Sequence, residues 1–398
     1  MWFRKSLAAG SEVSVTLKAD GDVWAYGING ITHDPSMIAE TQIAVGGAGK
    51  TTTKLTVLKD TDGIYIMFNI PDGKTQIEGY IYSIETGESA LPSSVRNSAV
   101  IGMCIYDEPT LAELEKVGLT QSAFAALLEE NSLNDKIFFV NLLPDYAFES
   151  QTTYEEYVDA FLSKTKPQVI SVDYYALMKD GTVRDTFFYN MNYLAEKSKE
   201  TNVPLWYTLL TAQHGEYAAP TAEQLRWQAA VAMTYGSKGI LHYVYSGDSD
   251  HNGLMRLVDG KWVKNAELFA KVADIDNEIS LWDHIYMSFD WQCTGTIGSS
   301  GLFAGLNAFS TISGKGSISA TSGKGAAICG VFTDKNGNYG YMLTNASGSE
   351  SAEINVSFGS EYGAVALIRN GVTSIVKTSD LSTIGLAAGE GVFMIPLK

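Results

Sequence analysis

PQVISVDYYAL (167–177) followed by DTFFYNMNYLAEKSKE (185–200) joins a short continuous apolar run to a segment whose apolar residues recur at helical spacing. A strand buried on both faces and then an amphipathic helix is the βα unit of a parallel sheet. The same pair recurs on either side. SAVIGMCIYDEP (98–109) precedes LAELEKVGLTQSAFAALLEEN (111–131), and KIFFVNLLPDYA (136–147) precedes YEEYVDAFLSKT (154–165). VPLWYTLLTAQ (203–213) precedes AEQLRWQAAVAMTYG (222–236), and GILHYVYSG (239–247) precedes NAELFAKVADIDNEISLW (265–282). The runs end near Glu108, Asn141, Asp173, Thr208 and Tyr243, at steps of 33, 32, 35 and 35 residues, a spacing that suits a (β/α) barrel.

Both flanks read differently. Residues 1–97 carry short alternating runs such as VSVTLK, VWAYGI and IYIMFNI, with one short helix candidate around Pro35 to Ala44. The Asp-Gly of LKDTDGIYI predicts a hairpin turn between two of these strands. From residue 286 onward helical periodicity vanishes, and runs such as GAAICGVFT, GYMLTN and GVFMIPL predict a β-sandwich over 286–398, with SGKGSISATSGKG as a loop or hairpin. The expected fold is therefore multidomain α/β plus all-β: a (β/α)8-type barrel over 98–285, complete or truncated to five units, between N- and C-terminal β-sandwich-like domains.

Composition narrows the function. The 398 residues include 28 Lys plus Arg and 45 Asp plus Glu, a formal charge of −17, which repels phosphate backbones and argues against nucleic-acid binding. No apolar run approaches the roughly 18 residues that would span a bilayer, so no membrane insertion is expected. Cys104, Cys293 and Cys329 form no CxxC pair and read as buried thiols, and no metal-ligand or cofactor pattern is legible. AVGGAGKT (44–51) satisfies a loose phosphate-loop pattern, but the following TTTKLTVLK is strand-like where the phosphate cradle needs a helix N-terminus. MWFRKSLAAGSEV lacks the 7 to 15 residue apolar stretch of a secretory signal.

Catalytic groups of such barrels stand at the C-terminal ends of the strands. Those ends supply Asp107 and Glu108, Asn141 and Asp145, Asp173 with Tyr174 and Tyr175, the loop from Thr208 to His214 including Gln213, and His242, Tyr243 and Tyr245. Acids, amides and aromatic rings suit a carbohydrate substrate, since rings stack on sugar faces and two carboxyls can cleave a glycosidic bond. Glu108, ahead of Pro109, reads as a general acid or as a carboxylate favoured by the helix N-terminus. Asp173 reads as the second carboxylate, as a ligand for sugar hydroxyls, or as a structural acid. Trp206, Tyr207, Tyr243 and Tyr245 are stacking platforms or barrel core, and His214 is a hydrogen-bond partner for substrate or a solvated loop residue. Arg226 and Trp227, within a helix, read as packing.

GMCIYDEPT, FFVNLLPDYA, VISVDYYAL, VPLWYTLLTAQ and QLRWQAAVAMTYGSKGILHYVYSG resemble segments of bacterial (β/α)-barrel glycoside hydrolases distantly similar to family 42 β-galactosidases and their clan. Residues 40–95 are weakly similar to a carbohydrate-binding β-sandwich, and GVFTDKNGNYGYMLTN with GEGVFMIPL resembles an accessory domain of such enzymes. The resemblance implies cleavage of glycosidic bonds in oligo- or polysaccharides by carboxylate acid/base catalysis, or a glycan-binding protein derived from such an enzyme, and a secreted or periplasmic location. Glu108 matches the clan's acid/base position. If its strand counts as the fourth, the strand of VPLWYTLLTAQ is the seventh, and it offers Thr208, Thr211 and Gln213 but no carboxylate before Glu216.

Overall fold

Five strands pair in parallel and in sequential order: β1 (Gly102–Asp107), β2 (Ile137–Leu142), β3 (Ile170–Asp173), β4 (Leu205–Leu210) and β5 (Gly239–Tyr243). In this computed structural model they form a curled half-barrel sheet. The residues described are 1–39, 41–46, 49–69, 79–86, 101–130, 132–148, 152–247 and 251–398. The chain divides into two compact units, Met1–Ala99 and Val100–Lys398.

Each strand of the half-barrel is followed by a helix: α1 (Leu114–Glu130), α2 (Tyr154–Thr165), α3 (Phe187–Thr201), α4 (Ala222–Thr234) and α5 (Ala266–Ser280). Strand alternation sorts the side chains. Val140, Leu142, Ile170, Val172, Leu205, Tyr207 and Leu209 are buried with helix residues such as Phe161, Phe187, Leu194 and Leu225. The opposite, inner face carries Asp107, Asn141, Ser171, Asp173, Trp206 and Thr208, aligned by a register that sets Asn141 beside Asp107 and Ser171, and Asp173 beside Thr208. In β1, the edge strand of this sheet among the described residues, Cys104 is exposed, not buried as expected. Cys329 is buried as read, and Cys293 is half-buried.

Helix α4 is apolar all round, with Leu225, Trp227 and every residue from Gln228 to Thr234 buried. A helix of that kind needs cover on two sides. It receives the parallel sheet on one and, on the other, a sandwich of six strands (Phe289–Ile297, Ala327–Asp334, Tyr339–Asn345, Gly391–Leu397, Ala364–Arg369, Val372–Lys377, in spatial order) and three (Ile318–Lys324, Ala352–Phe358, Thr383–Leu386). Thr234 Oγ1 and Thr344 Oγ1 meet at 2.7 Å across this interface, and the Tyr286 hydroxyl donates to the carbonyls of Met233 and Ser237. Trp227 packs here, while Arg226 pairs with Glu278. The Ser- and Gly-rich stretch expected as a loop or hairpin holds one strand, Ile318–Lys324, paired with the distant Ala352–Phe358, since Ile318 and Ala320 alternate into the sandwich core.

The first unit is two facing sheets around Val13, Val15, Leu17, Val23, Ala25, Leu55, Ile64 and Ile66. The expected Asp-Gly hairpin does not form. Thr51–Thr56 pairs with Glu12–Ala19 in one sheet, whereas Thr61–Phe68 pairs with Trp2–Leu7 and Val23–Asn29 in the other. Gly63 lies inside the latter strand at φ +145°, where a Cβ would collide with the Phe3 carbonyl oxygen, so glycine serves a close strand approach and not a turn. The helix candidate near Pro35 shrinks to one 3₁₀ turn, Pro35–Met37, capped by Asp34, and Gln42–Ala44 is a strand. Of the phosphate-loop pattern, residues 47–48 lie outside the described residues, and Thr51 opens a strand.

The end of β4 is fixed by one buried amide. Gln228 Oε1 accepts from the Leu210 backbone N–H (2.8 Å) while its Nε2 donates to the Leu210 carbonyl (3.0 Å). Gln228→Leu leaves both groups without a partner and should lower the unfolding free energy by about 2–4 kcal/mol in urea titration. A change below about 0.5 kcal/mol would show that the pair does not hold the strand end.

Candidate active site

Asn141 stands at the centre of the carboxylates at the strand ends. Only 7% exposed, it donates through Nδ2 to Asp173 Oδ1 (2.7 Å) and to Asp107 Oδ1 (3.2 Å). Its Oδ1 accepts from Ser171 Oγ at 3.0 Å, which fixes which end of the amide faces the acids. Its backbone carbonyl takes the N–H of Glu108 (2.9 Å). Glu108 adopts φ +48°, a left-handed conformation rare for a residue with a side chain. Of the other five such non-glycine residues among those described, Lys166 and Asn202 cap helices and Asp259 and Asn370 sit in turns between antiparallel strands; Glu108 instead directly follows a strand of the parallel sheet. Backbone held this way concentrates at functional sites.

The carboxyls sit in unequal surroundings. Burial, then the nearby charge of Glu108, pushes Asp173 up to about 7, against the opposing hydrogen bond from Asn141. Glu108 is solvent-facing but also raised, by partial burial and then by Asp107. The Tyr175 hydroxyl lies against Asp173 without a well-formed hydrogen bond, and its own ionisation is pushed far up by burial and by that carboxyl.

Beside the acids stands an aromatic wall. Tyr175 meets His214 (5.2 Å between ring centres), Tyr217 (5.2 Å) and Tyr243 (5.4 Å), and His214 stacks on His251 at 5.1 Å. His214 Nδ1 lies 2.9 Å from the Ala212 carbonyl, an acceptor, so Nδ1 carries the proton. Burial lowers this histidine below its ordinary value. The loops after β3 and β4 are stitched together by the Lys179 N–H to the Glu216 carbonyl (3.0 Å) and the Ala218 N–H to the Leu177 carbonyl (2.9 Å).

Of the residues expected at the site, Asp107, Glu108, Asn141, Asp173, Tyr175, His214 and Tyr243 gather here. Tyr174 does not: it is 0% exposed, its ring lies against Phe187 and its hydroxyl pairs with Thr186. Trp206 lies lower on the inner face against Phe139, and Tyr207 is core. Tyr245 is 60% exposed and joins none of these rings. Gln213 meets Asn252 through its backbone carbonyl, and Glu216 is an exposed loop residue. His242 faces the helix layer, with Nε2 2.9 Å from Asp276 of α5. Tyr146, Arg184, Tyr217 and His251 belong to the site but were not anticipated. The signal for one of them, Arg184, was loop length, since the 13 residues from Tyr174 to Thr186 between β3 and α3 exceed an ordinary βα connection. Among the described residues no group of three or more His, Cys, Asp or Glu could hold a metal ion, and no helix is long and apolar enough to cross a membrane.

No protein-family model and no curated protein matches the chain. Among solved structures it is similar to an exo-carrageenase GH42 from Bacteroides ovatus, at 12% identity over 72% of this chain and 56% of that one, TM-score 0.43. A rhamnosidase from Novosphingobium sp. PP1Y matches at 8% identity over 100% of this chain and 64% of that one, TM-score 0.40. A GH51 arabinofuranosidase from Xanthomonas axonopodis pv. citri matches at 10% identity over 74% of this chain and 66% of that one, TM-score 0.32. All three are glycoside hydrolases, and this chain spans 56 to 66% of their lengths. At TM-scores of 0.32 to 0.43 they carry no argument about its reaction, which rests on the residues themselves.

An acid whose folded pKa is raised keeps its proton in the folded state after the unfolded chain has lost it, so folding stability falls as pH rises from about 4 to about 7. Asp173→Asn removes that penalty. The variant should match the wild type near pH 4 and exceed it at pH 8 by on the order of 3 kcal/mol in denaturant titrations. Parallel stability curves across that range would contradict a raised Asp173.

Proposed function

We propose that this protein is a glycoside hydrolase in which Asp173 is the proton donor and Glu108 its ionised partner. The observation that carries the reading is the gathering of Asp107, Glu108 and Asp173 around the Asn141 amide, beside the wall of Tyr175, His214, Tyr217 and Tyr243. Two carboxyls whose environments push their ionisation apart can divide acid and base roles. Asp173, the more deeply desolvated, holds a proton near neutrality and gives it to the leaving glycosidic oxygen. Glu108, the more exposed, takes the other role and stabilises the positive charge growing at the anomeric carbon, which water then attacks. Asn141 keeps Asp173 oriented, and the rings offer faces to a sugar. This division reverses the sequence-based assignment of Glu108 as the acid, because position at a strand end does not report desolvation.

A second reading, a glycan-binding protein without turnover, is favoured by one observation: β4 and the loop after it carry Thr208, Thr211 and Gln213 and no carboxylate before Glu216, which is exposed.

A panel of aryl glycosides and polysaccharides tests both. Turnover of any member is expected, with kcat/KM falling above about pH 7 as Asp173 loses its proton. Asp173→Asn should cost about 10²–10⁴ in kcat on substrates with poor leaving groups and remove that alkaline limb. Unaltered turnover in this variant overturns the assignment, and sugar binding without turnover of any substrate establishes the second reading.

A further inference from the structure

Arg184 lies in the long loop between β3 and α3. Its guanidinium carbon sits 3.8 Å from the ring centre of Tyr146 and 5.7 Å from that of Tyr217, and its Nε donates to the Tyr175 carbonyl at 3.3 Å. Its backbone N–H bonds the Ala176 carbonyl at 2.9 Å, so both ends of the residue are anchored. Tyr146 and Tyr217 share a hydroxyl contact of 3.2 Å, and Tyr217 lies against Tyr175 in the aromatic wall. The half-buried cation is therefore part of the same cleft as Asp173.

What it lacks is a counter-ion. Arg226 and Arg369, elsewhere in the same unit, pair with Glu278 and Glu390 at 3.4 and 3.2 Å. Among the described residues Arg184 has no carboxylate within 4.0 Å and its two terminal nitrogens have no hydrogen-bond partner, in a chain with 45 acidic and 28 basic side chains. Asp145 feels its charge, but stands beyond ion-pair reach and is occupied by the Thr186 hydroxyl at 3.2 Å. Stacking on two rings and one backbone bond fixes the plane of the guanidinium while leaving its terminal N–H groups available. That is the state in which arginine takes a planar or tetrahedral anion bidentately.

We propose that Arg184 is a specificity residue for an anionic substituent, a carboxylate or a sulfate, on the glycan held in this cleft. The substrate class is thereby an acidic glycan, and the inference rests on the reading of the cleft as a carbohydrate site. The negative charge around Asp173 disfavours such a group beside the acids and favours it against Arg184, so Arg184 also sets the register of the sugar.

The test uses the full chain and paired probes in calorimetric titration: oligogalacturonate against its methyl ester, and a sulfated galactan oligosaccharide against its desulfated form. For at least one pair the acidic member should bind about ten- to a hundredfold more tightly than the neutral one. In Arg184→Gln that ratio should fall to near one. Arg184→Lys, which keeps the charge but not the planar fork, should retain part of it, and melting temperatures report whether each variant is folded. Neutral and acidic members binding the wild type equally, or a preference that survives in folded Arg184→Gln, overturns the proposal while leaving the carbohydrate reading intact. Wild-type protein that binds neither member of either pair, and no other member of the glycan panel, overturns both.

Discussion

From Trp227 to Thr234, helix α4 has nowhere on its surface to meet water. Five parallel strands do not close a barrel, so their helix layer cannot be completed by a ring of further βα units. The chain instead lays a sandwich sheet on the far side of α4, and Phe332, Met342 and Phe393 of that sheet enter the same core as Leu205, Tyr207 and Leu209 of the half-barrel. Small residues make this feasible: Ala229, Ala230 and Ala232 let strands approach from both sides, and Gly330 packs directly under the Thr234 carbonyl. The rigidity of the strand ends, and hence of the site above them, follows from this double packing.

The site itself is built on an amide in place of a cation. Three carboxylates near one another would ordinarily call for a lysine, an arginine or a metal; among the described residues Asn141 Nδ2 is instead the shared hydrogen-bond donor of two of them, Asp107 and Asp173. A neutral donor orients Asp173 without removing the electrostatic pressure on it, so burial and the charge of Glu108 remain free to hold its proton. A cation in the same place would have ionised it.

Much of this was legible. The five βα units, the all-β ends and the positions of Glu108, Asn141, Asp173 and Tyr243 at strand ends follow from apolar runs and their spacing. The choice between Tyr174 and Tyr175 was also available: with Asp173 on the inner face, alternation sends Tyr174 to the helix side and Tyr175 to the cleft, as it sends Trp206 inward and Tyr207 outward. What was not legible depends on contacts between segments far apart. Nothing local in the Asp-Gly of residues 62–63 distinguishes a turn from a strand in close approach, and nothing local brings Tyr146, Arg184, Tyr217 and His251 from separate loops to one cleft. The exposure of Cys104 goes with the edge position of β1, which no pattern within that strand announces.

The left-handed backbone at position 108 sets two demands against each other. Glycine or asparagine would occupy φ +48° more comfortably than glutamate. A laboratory lineage selected only for heat resistance should drift away from glutamate there, and one selected for the proposed glycoside hydrolysis should hold it at a cost in robustness. Position 108 is therefore where durability and function are expected to compete most directly in this chain.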